Sequence, residues 1–419
     1  MAQRVYVHIG APKTGSTFLQ GRLFANQAAL AEQGICLPGR LIEHFQSKLF
    51  LTGQLEEEHG HPARANTAWQ RLLAEIRDWP GTALLTHELF AGLDDAAVQR
   101  MLDYLAPADV HLIYAARDLM RQIPAEWQEH IKHGWRVPFH EFVEDLMAEG
   151  PSSTWFRQVQ DPPRVLERWS ALPGAHRHLV VVPPPDSDPE LLWQQFASIV
   201  GFDPSDMEAD DVFVNESLGT AEAELVRRVN KYAVPRLLEE GRGQVPRWIK
   251  TELAHSLLSQ RPDPHRLTVN PEYRAWIVRR SEKIVDELKS SDLHITGDLD
   301  DLIPKDLDQP AGDPAAVPDD ELLDVSLETI SELLIRLRRT TLELRASEQR
   351  VRQITEERDR LAGTKQRLSG EIQRRQSRPL KQMLIDTSEQ HPSLHRMRRS
   401  YWQAANTARR LRGQKQPEC

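Results

Sequence analysis

Cysteine is nearly absent. Cys36 and Cys419 are the only two in 419 residues. Two cysteines give neither a disulfide framework nor the spacing of a zinc site, and they point to a reducing compartment. Long hydrophobic runs are missing too. No apolar stretch approaches the ~18 residues of a membrane span. Residues 1–10 are strand-like, not a basic segment followed by an apolar signal core. The expectation is a cytoplasmic protein, with peripheral membrane contact left open. What is present fits a folded body with an elongated part. Hydrophobic residues make up 40% of the chain and tryptophans number 10, enough for a sizeable core over part of the length. The mean hydropathy of −0.54 requires the rest to be solvated or extended. The length suggests two or three structural units.

Charge is unevenly placed. Residues 366–419 hold 12 Lys+Arg and 4 Asp+Glu, and the whole chain carries −9, so residues 1–365 carry −17. An acidic body argues against a general nucleic-acid binder. The basic tail, residues 374–419, could contact an anionic surface.

The pattern RVYVHI (4–9) predicts a buried strand ending at Gly10, and residues 15–33 predict a helix. TALLTHEL (82–89), VHLIYAAR (110–117) and HLVVVPP (178–184) repeat the theme, each followed by a helical stretch. Alternation of this kind predicts an α/β fold, a parallel sheet flanked by helices, with ligands at the carboxyl ends of the strands. His87, Glu88 and Arg117 fall at such ends. Helical segments are expected near 219–240, 244–258 and 271–289. These elements make up a domain over 1–303. Residues 304–320, rich in Pro and Asp, read as a linker. Residues 321–373 read as a coiled-coil helix. Leu327, Ile330, Leu334, Leu337, Leu344 and Val351 follow 3- and 4-residue steps. Charged residues on the other faces favour a homo-oligomer over a helix folded back on the body.

The first loop, GAPKTGST, spans residues 10–17. A triphosphate-binding loop has lysine directly after its second glycine. Here Ser16 follows Gly15, and the lysine is Lys13, inside the loop. A lysine there would lie over a 5′-phosphate and its substituent. Thr14, Gly15, Ser16 and Thr17 would offer N–H groups and hydroxyls to the same phosphate. Arg117 could hold a separate 3′-phosphate.

PKTGSTFL resembles the 5′-phosphosulfate loop of sulfotransferases that use 3′-phosphoadenosine 5′-phosphosulfate (PAPS). IYAARDLMRQIPAEW resembles that family's 3′-phosphate motif. VNESLGTAEAELVRRVN (214–230) is similar to helical segments of bacterial members. The resemblance implies a P-loop-like sulfotransferase sheet, PAPS as donor and no metal. It places Pro12, Lys13, Thr14, Gly15, Ser16, Thr17 and Arg117 on the cofactor, with Lys13 stabilising the bridging oxygen. The family's second 3′-phosphate ligand, a serine eight residues after the arginine, is Ala125 here. Arg121, Gln122 and Gln128 are candidate replacements. A base near the end of the second strand would be Glu88 or His87, and burial near phosphates would raise the Glu88 pKa. The expected activity is sulfuryl transfer to a hydroxyl of a carbohydrate, a glycolipid or lipid-linked glycan, or a small metabolite. An ATP-dependent phosphotransferase and a non-catalytic scaffold assembling through the coiled coil stand as alternatives. His130, Lys132 and His133 carry metal-like letters without a partner carboxylate in the motif. Trp127 and Trp135 read as packing residues.

Overall fold

The computed structural model describes residues 1–53, 62–205, 207–208, 217–241, 243–262, 265–305, 310, 312–376 and 380–411. Six strands form one sheet: β1 (Arg4–His8), β2 (Ile35–Cys36), β3 (Thr82–Thr86), β4 (Asp109–Ala116), β5 (Arg177–Val181) and β6 (His294–Thr296). Their order is β2-β3-β1-β4-β5-β6, and every neighbouring pair is parallel.

Strand sequences without polar alternation are what a sheet covered on both faces requires. Successive side chains still point to opposite faces. Val5, Val7, Ala83, Leu85, Leu112, Tyr114, Leu179 and Val181 pack into one apolar cluster. Tyr6, Leu84, Ile113, Ala115 and Val180 pack into the other, against Leu19, Leu23, Trp193 and Phe196 from two helices. Fully burying one such Leu or Phe contributes roughly 1.5–3 kcal/mol. The helices Ser16–Ala25, Leu119–Lys132 and Leu191–Val200 follow β1, β4 and β5. Trp127 is fully buried and donates its Nε1–H to the Val137 carbonyl at 2.9 Å, a packing role as the sequence suggested.

The strand order fixes where a ligand can enter. The chain leaves β1 toward β2 and β3 on one side, and leaves β4 toward β5 and β6 on the other. A crevice therefore opens between the carboxyl ends of β1 and β4, the usual position of a site in open α/β sheets. The loop after β1 and Arg117 after β4 flank it.

Several expectations need adjustment. The edge strands β2 and β6 carry no readable pattern at their lengths of 2 and 3 residues. The helix expected over 15–33 breaks at Asn26 into Ser16–Ala25 and Gln27–Glu32. The Asn26 amide there donates to the Arg22 carbonyl at 2.8 Å and to the Glu208 carbonyl at 3.1 Å. Pro246–His255 is a π-helix within the segment expected to be helical, and the helices Thr220–Glu240 and Pro271–Lys289 lie where expected. Residues 214–216 of the VNESLG stretch lie outside the described residues.

The compact body runs on through Glu332, beyond the segment read as a linker. Within 304–320, residues 306–309 and 311 lie outside the described residues. The rest is anchored. Thr268 donates to the Pro310 carbonyl at 2.6 Å, Asn270 donates to Asp313 at 2.7 Å, and Pro314 is buried. The helix Asp319–Gln376 then begins with Leu322, Val325 and Thr329 buried in that body.

The second unit, Leu333–Cys419, holds the remainder of that helix and the helices Leu380–Gln390 and Pro392–Leu411. The last two form a hairpin in which Arg398 donates to the Ile385 carbonyl at 3.1 Å and to Ser388 at 2.9 Å. The seam residues Leu327, Ile330, Leu334, Leu337, Leu344 and Val351 are each more than half exposed. Residues 377–379 and 412–419 of the basic tail lie outside the described residues. No helix among the described residues is long and apolar enough to cross a membrane.

Candidate functional site

The loop between β1 and its helix is built around three residues in left-handed backbone: Gly10 (φ 97°), Lys13 (φ 64°) and Gly15 (φ 86°). At Gly10 a Cβ would meet the backbone of Glu88 at 3.0 Å, and at Gly15 it would meet Leu192 at 2.7 Å. Lys13 has a side chain and still adopts this conformation, which costs roughly 1–2 kcal/mol. The surroundings hold it there. Ala11 donates its N–H to the Ala115 carbonyl at 3.0 Å, and the buried Thr14 hydroxyl donates to the Ala11 carbonyl at 2.6 Å. The Pro12 carbonyl accepts from Gln122 at 2.7 Å and from Gln160 at 2.9 Å. Backbone strain held this firmly belongs to functional loops more than to ordinary turns.

Gly15, Ser16 and Thr17 open the helix Ser16–Ala25, whose N-terminus has no side-chain cap. Its first N–H groups have no intrahelical partner and carry the positive end of the dipole. They face a cleft of about 1830 Å³, also lined by Lys13, Arg117, Arg121 and Arg266. Arg117 donates to the Gln122 Oε1 at 2.9 Å and to the Arg121 carbonyl at 3.0 Å. Burial, and then the nearby Arg121, lower its pKa to about 10. Gln122 therefore joins the two predicted anion holders, with its oxygen on Arg117 and its amide on Pro12.

Of the replacements considered for the serine that Ala125 displaces, two are engaged elsewhere. Gln122 is held as described. Gln128 both donates to and accepts from the backbone of Leu218, at 3.2 and 3.0 Å. Arg121 lines the cleft while pairing with Asp118 and donating to the Pro183 carbonyl at 3.2 Å. Asp118 pairs with Arg121, not Arg117. Its other oxygen caps the helix Leu119–Lys132 at Arg121 N, 3.0 Å away.

The two residues expected as base, Glu88 and His87, both line the cleft. His87 is buried, accepts from the Leu89 N–H at 3.1 Å, and burial lowers its pKa. Glu88 departs from the reading of a raised pKa. Burial does push it up, but His87 and the Gln20 amide, which donates at 2.9 Å, outweigh that and hold it below the ordinary carboxylate value. The carboxyl that fits the raised-pKa description is Glu126. It is 1% exposed and receives hydrogen bonds from Trp155 at 2.9 Å and Gln160 at 3.0 Å. Burial raises its pKa to about 7, against the pull of Lys13 and of its two donors.

Three residues downstream lies Glu129, the ion-pair partner of Lys13. It also accepts from Lys250 at 2.5 Å and pairs with His133 at 3.1 Å. Burial would raise its pKa, but His133, Lys13 and Lys250 together hold it well below the usual carboxylate range. The His130, Lys132, His133 letters separate in space. His133 goes to Glu129, while His130 stacks on Trp135 with ring centroids 3.9 Å apart.

No protein-family model, curated protein or solved structure matches the chain.

The chemistry is therefore read from the groups themselves. In the cleft lining an uncapped helix N-terminus, Lys13 and three arginines suit a ligand with two phosphate groups. The same lining holds Glu126, a carboxyl able to take a proton near neutral pH. A separate group of possible metal ligands, Asp109, His111 and His176, sits at the amino ends of β4 and β5, away from the cleft lining. Its members are engaged with one another. His111 pairs with Asp109 at 3.1 Å and with His178 at 2.9 Å, and His176 pairs with Asp109 at 3.2 Å.

Glu126, Glu129, Lys250 and Arg266 were not singled out from the sequence. For the first two a signal exists. In the helix after Arg117, Leu119, Ile123, Trp127 and Ile131 make an apolar stripe, and Gln122, Glu126 and Glu129 run beside it at helical spacing. Nothing in the sequence distinguishes that polar stripe from a solvated face. Lys250 and Arg266 come from segments over a hundred residues away and carry no motif.

Proposed function

We propose that the chain is a sulfotransferase that moves a sulfuryl group from PAPS to an acceptor hydroxyl. The observation that carries this reading is Lys13 inside a strained loop at the β1/β4 crevice, tied through Gln122 to Arg117. Thr14, Gly15, Ser16 and Thr17 hold the 5′-phosphate, Pro12 shapes the loop, and Arg117 holds the 3′-phosphate. Arg266, which lines the cleft and acts electrostatically on Arg117, takes the place that Ala125 leaves empty.

PAPS supplies an activated sulfuryl group whose leaving oxygen belongs to the 5′-phosphate. Lys13 stabilises the negative charge that builds on that oxygen, in the manner of preorganised charge stabilisation. Glu126 accepts the proton of the acceptor hydroxyl as the new S–O bond forms, because a carboxyl with a pKa near 7 suits a general base at neutral pH. Glu88 and His87, which line the same cleft, orient the acceptor. Among acceptors, a carbohydrate or lipid-linked glycan suits a wide cleft whose lining mixes charged and apolar side chains.

An ATP- and magnesium-dependent phosphotransferase is the second reading. It is weakened because Asp118, the carboxylate at the end of β4, has one oxygen on Arg121 and the other on the helix cap. A scaffold is the third, supported by the exposed seam. We place self-association in the seam and contact with an anionic surface in the basic hairpin, in a cytoplasmic protein that can sit at a membrane.

Calorimetric titration with adenosine 3′,5′-bisphosphate in the absence of magnesium separates these readings. Binding that falls by at least about tenfold in Lys13→Ala and in Arg117→Ala, the effect of losing a charge-assisted hydrogen bond, supports sulfuryl transfer. Binding of ATP only with magnesium supports the phosphotransferase, and binding of neither nucleotide supports the scaffold.

A further inference from the structure

Lys132 is 4% exposed, lines the cleft, and makes no hydrogen bond or ion pair among the described residues. The stem is buried and the ammonium meets solvent only at the cleft, where a cation so nearly enclosed and without a partner among the described residues is unfavourable. Its charged neighbours make the position worse. Lys13 and Lys250 both act on it repulsively, and only Glu129 offsets them. Glu129 already has Lys13, Lys250 and His133 on its two oxygens. Burial, followed by repulsion from Lys13, lowers the Lys132 pKa to about 8. His255, from the same π-helix as Lys250, also lines this end of the cleft and is within electrostatic reach of Lys132. A π-helix inserted here is itself a feature common at functional sites. Of the donor holders already assigned, Lys13 adjoins this cluster through Glu129, whereas none of the groups that shift the Arg117 pKa belongs to it.

We propose that Lys132, with Lys250 and His255 beside it, forms an anion subsite for an acidic group of the acceptor, a carboxylate or a sulfate. This rests on the sulfuryl-transfer reading for the identity of the ligand as acceptor, while the subsite itself stands on the unpartnered ammonium. The substrate class is thus an acceptor that already carries negative charge beside the hydroxyl to be modified.

The test uses equilibrium dialysis of the full chain with labelled inorganic sulfate, with and without saturating adenosine 3′,5′-bisphosphate. Sulfate is expected to bind with the nucleotide present. Lys132→Met should weaken that binding by at least about tenfold and leave nucleotide affinity unchanged. Acetate added as competitor fixes the group: displacement of sulfate assigns a site that takes carboxylates, and its absence assigns one that takes sulfate. Lys250→Met, at a more exposed position, is the second variant if Lys132→Met melts early, and it should weaken sulfate severalfold. The proposal is overturned if wild-type protein binds no sulfate, if the nucleotide displaces it, or if sulfate affinity survives both substitutions. Failure of the nucleotide to bind would remove the transferase reading alone. Sulfate binding without nucleotide, and its loss in Lys132→Met, would then still decide the subsite.

Discussion

Replacing Glu126 by glutamine separates its chemical role from its structural one. The carboxyl has a pKa of about 7 in the fold, against an ordinary value of 4.5. A raised pKa means that the folded protein favours the protonated form. The associated stability is fully present below pH 4.5 and is lost as pH rises through about 7. Between pH 5 and pH 8 the wild type should lose about 2–3 kcal/mol from this group alone. Glutamine does not titrate, so Glu126→Gln removes that slope. It also leaves one acceptor oxygen for two donors, Trp155 and Gln160, at a cost of about 1–3 kcal/mol at every pH. The variant should therefore be the less stable protein at pH 5, and the difference should move in its favour by about 2–3 kcal/mol by pH 8. Urea unfolding followed by tryptophan fluorescence at the two pH values reads this directly. Sulfuryl transfer should fall by ~10²–10⁴-fold, the usual contribution of a general base, with nucleotide affinity unchanged. A stability difference that does not change between pH 5 and pH 8 would refute the burial reasoning. Activity within a few-fold of wild type would refute the assignment of Glu126 as base and return it to Glu88 or His87.

Gly10→Ala should destabilise the body by about 1–3 kcal/mol, because the backbone is left-handed and Glu88 blocks the new methyl group; a lowered melting temperature and weakened nucleotide binding check it. Glu129→Gln should cost about 2 kcal/mol, less than a fully buried ion pair because Lys13 and Lys250 are partly exposed. The Glu129 pKa is depressed, so its stabilisation is present above pH 4.5 and lost on acidification. The variant should accordingly show a shallower fall in urea midpoint below pH 4.5. Changing Leu337 and Leu344 together to aspartate should give a monomer by light scattering if the seam is where copies meet, and an unchanged mass would rule the seam out.

Much of the fold was legible because the strands are long enough to carry a pattern. Four of the six were read within a few residues of their observed bounds. The two that were missed are edge strands of two and three residues, too short for periodicity. The 304–320 segment was read as a linker from its composition alone. Proline and aspartate are common in linkers, but here Asp313 and Pro310 are bound by Asn270 and Thr268, partners about forty residues away that composition does not reveal. Within the site, the local motif was visible and the tertiary one was not. Lys13 and the glycines announce a loop through spacing alone. Glu126 becomes a candidate base only when Trp155 and Gln160 close over it, and the sequence expectation of a raised pKa went to Glu88 because proximity to His87 and Gln20 could not be read.

The amide of Gln122 has a consequence beyond hydrogen bonding. It touches the loop after β1 and the arginine after β4 at once, through its two ends. Any shift of the helix that carries it moves both contact points together, so the span between them behaves as a gauge of set length. A ligand whose charged groups are spaced to that gauge meets both holders with little rearrangement. On the proposed sulfuryl-transfer reading, a donor with a shorter or longer span would have to break a bond of Gln122 to be held at both ends, so Gln122 would select by length.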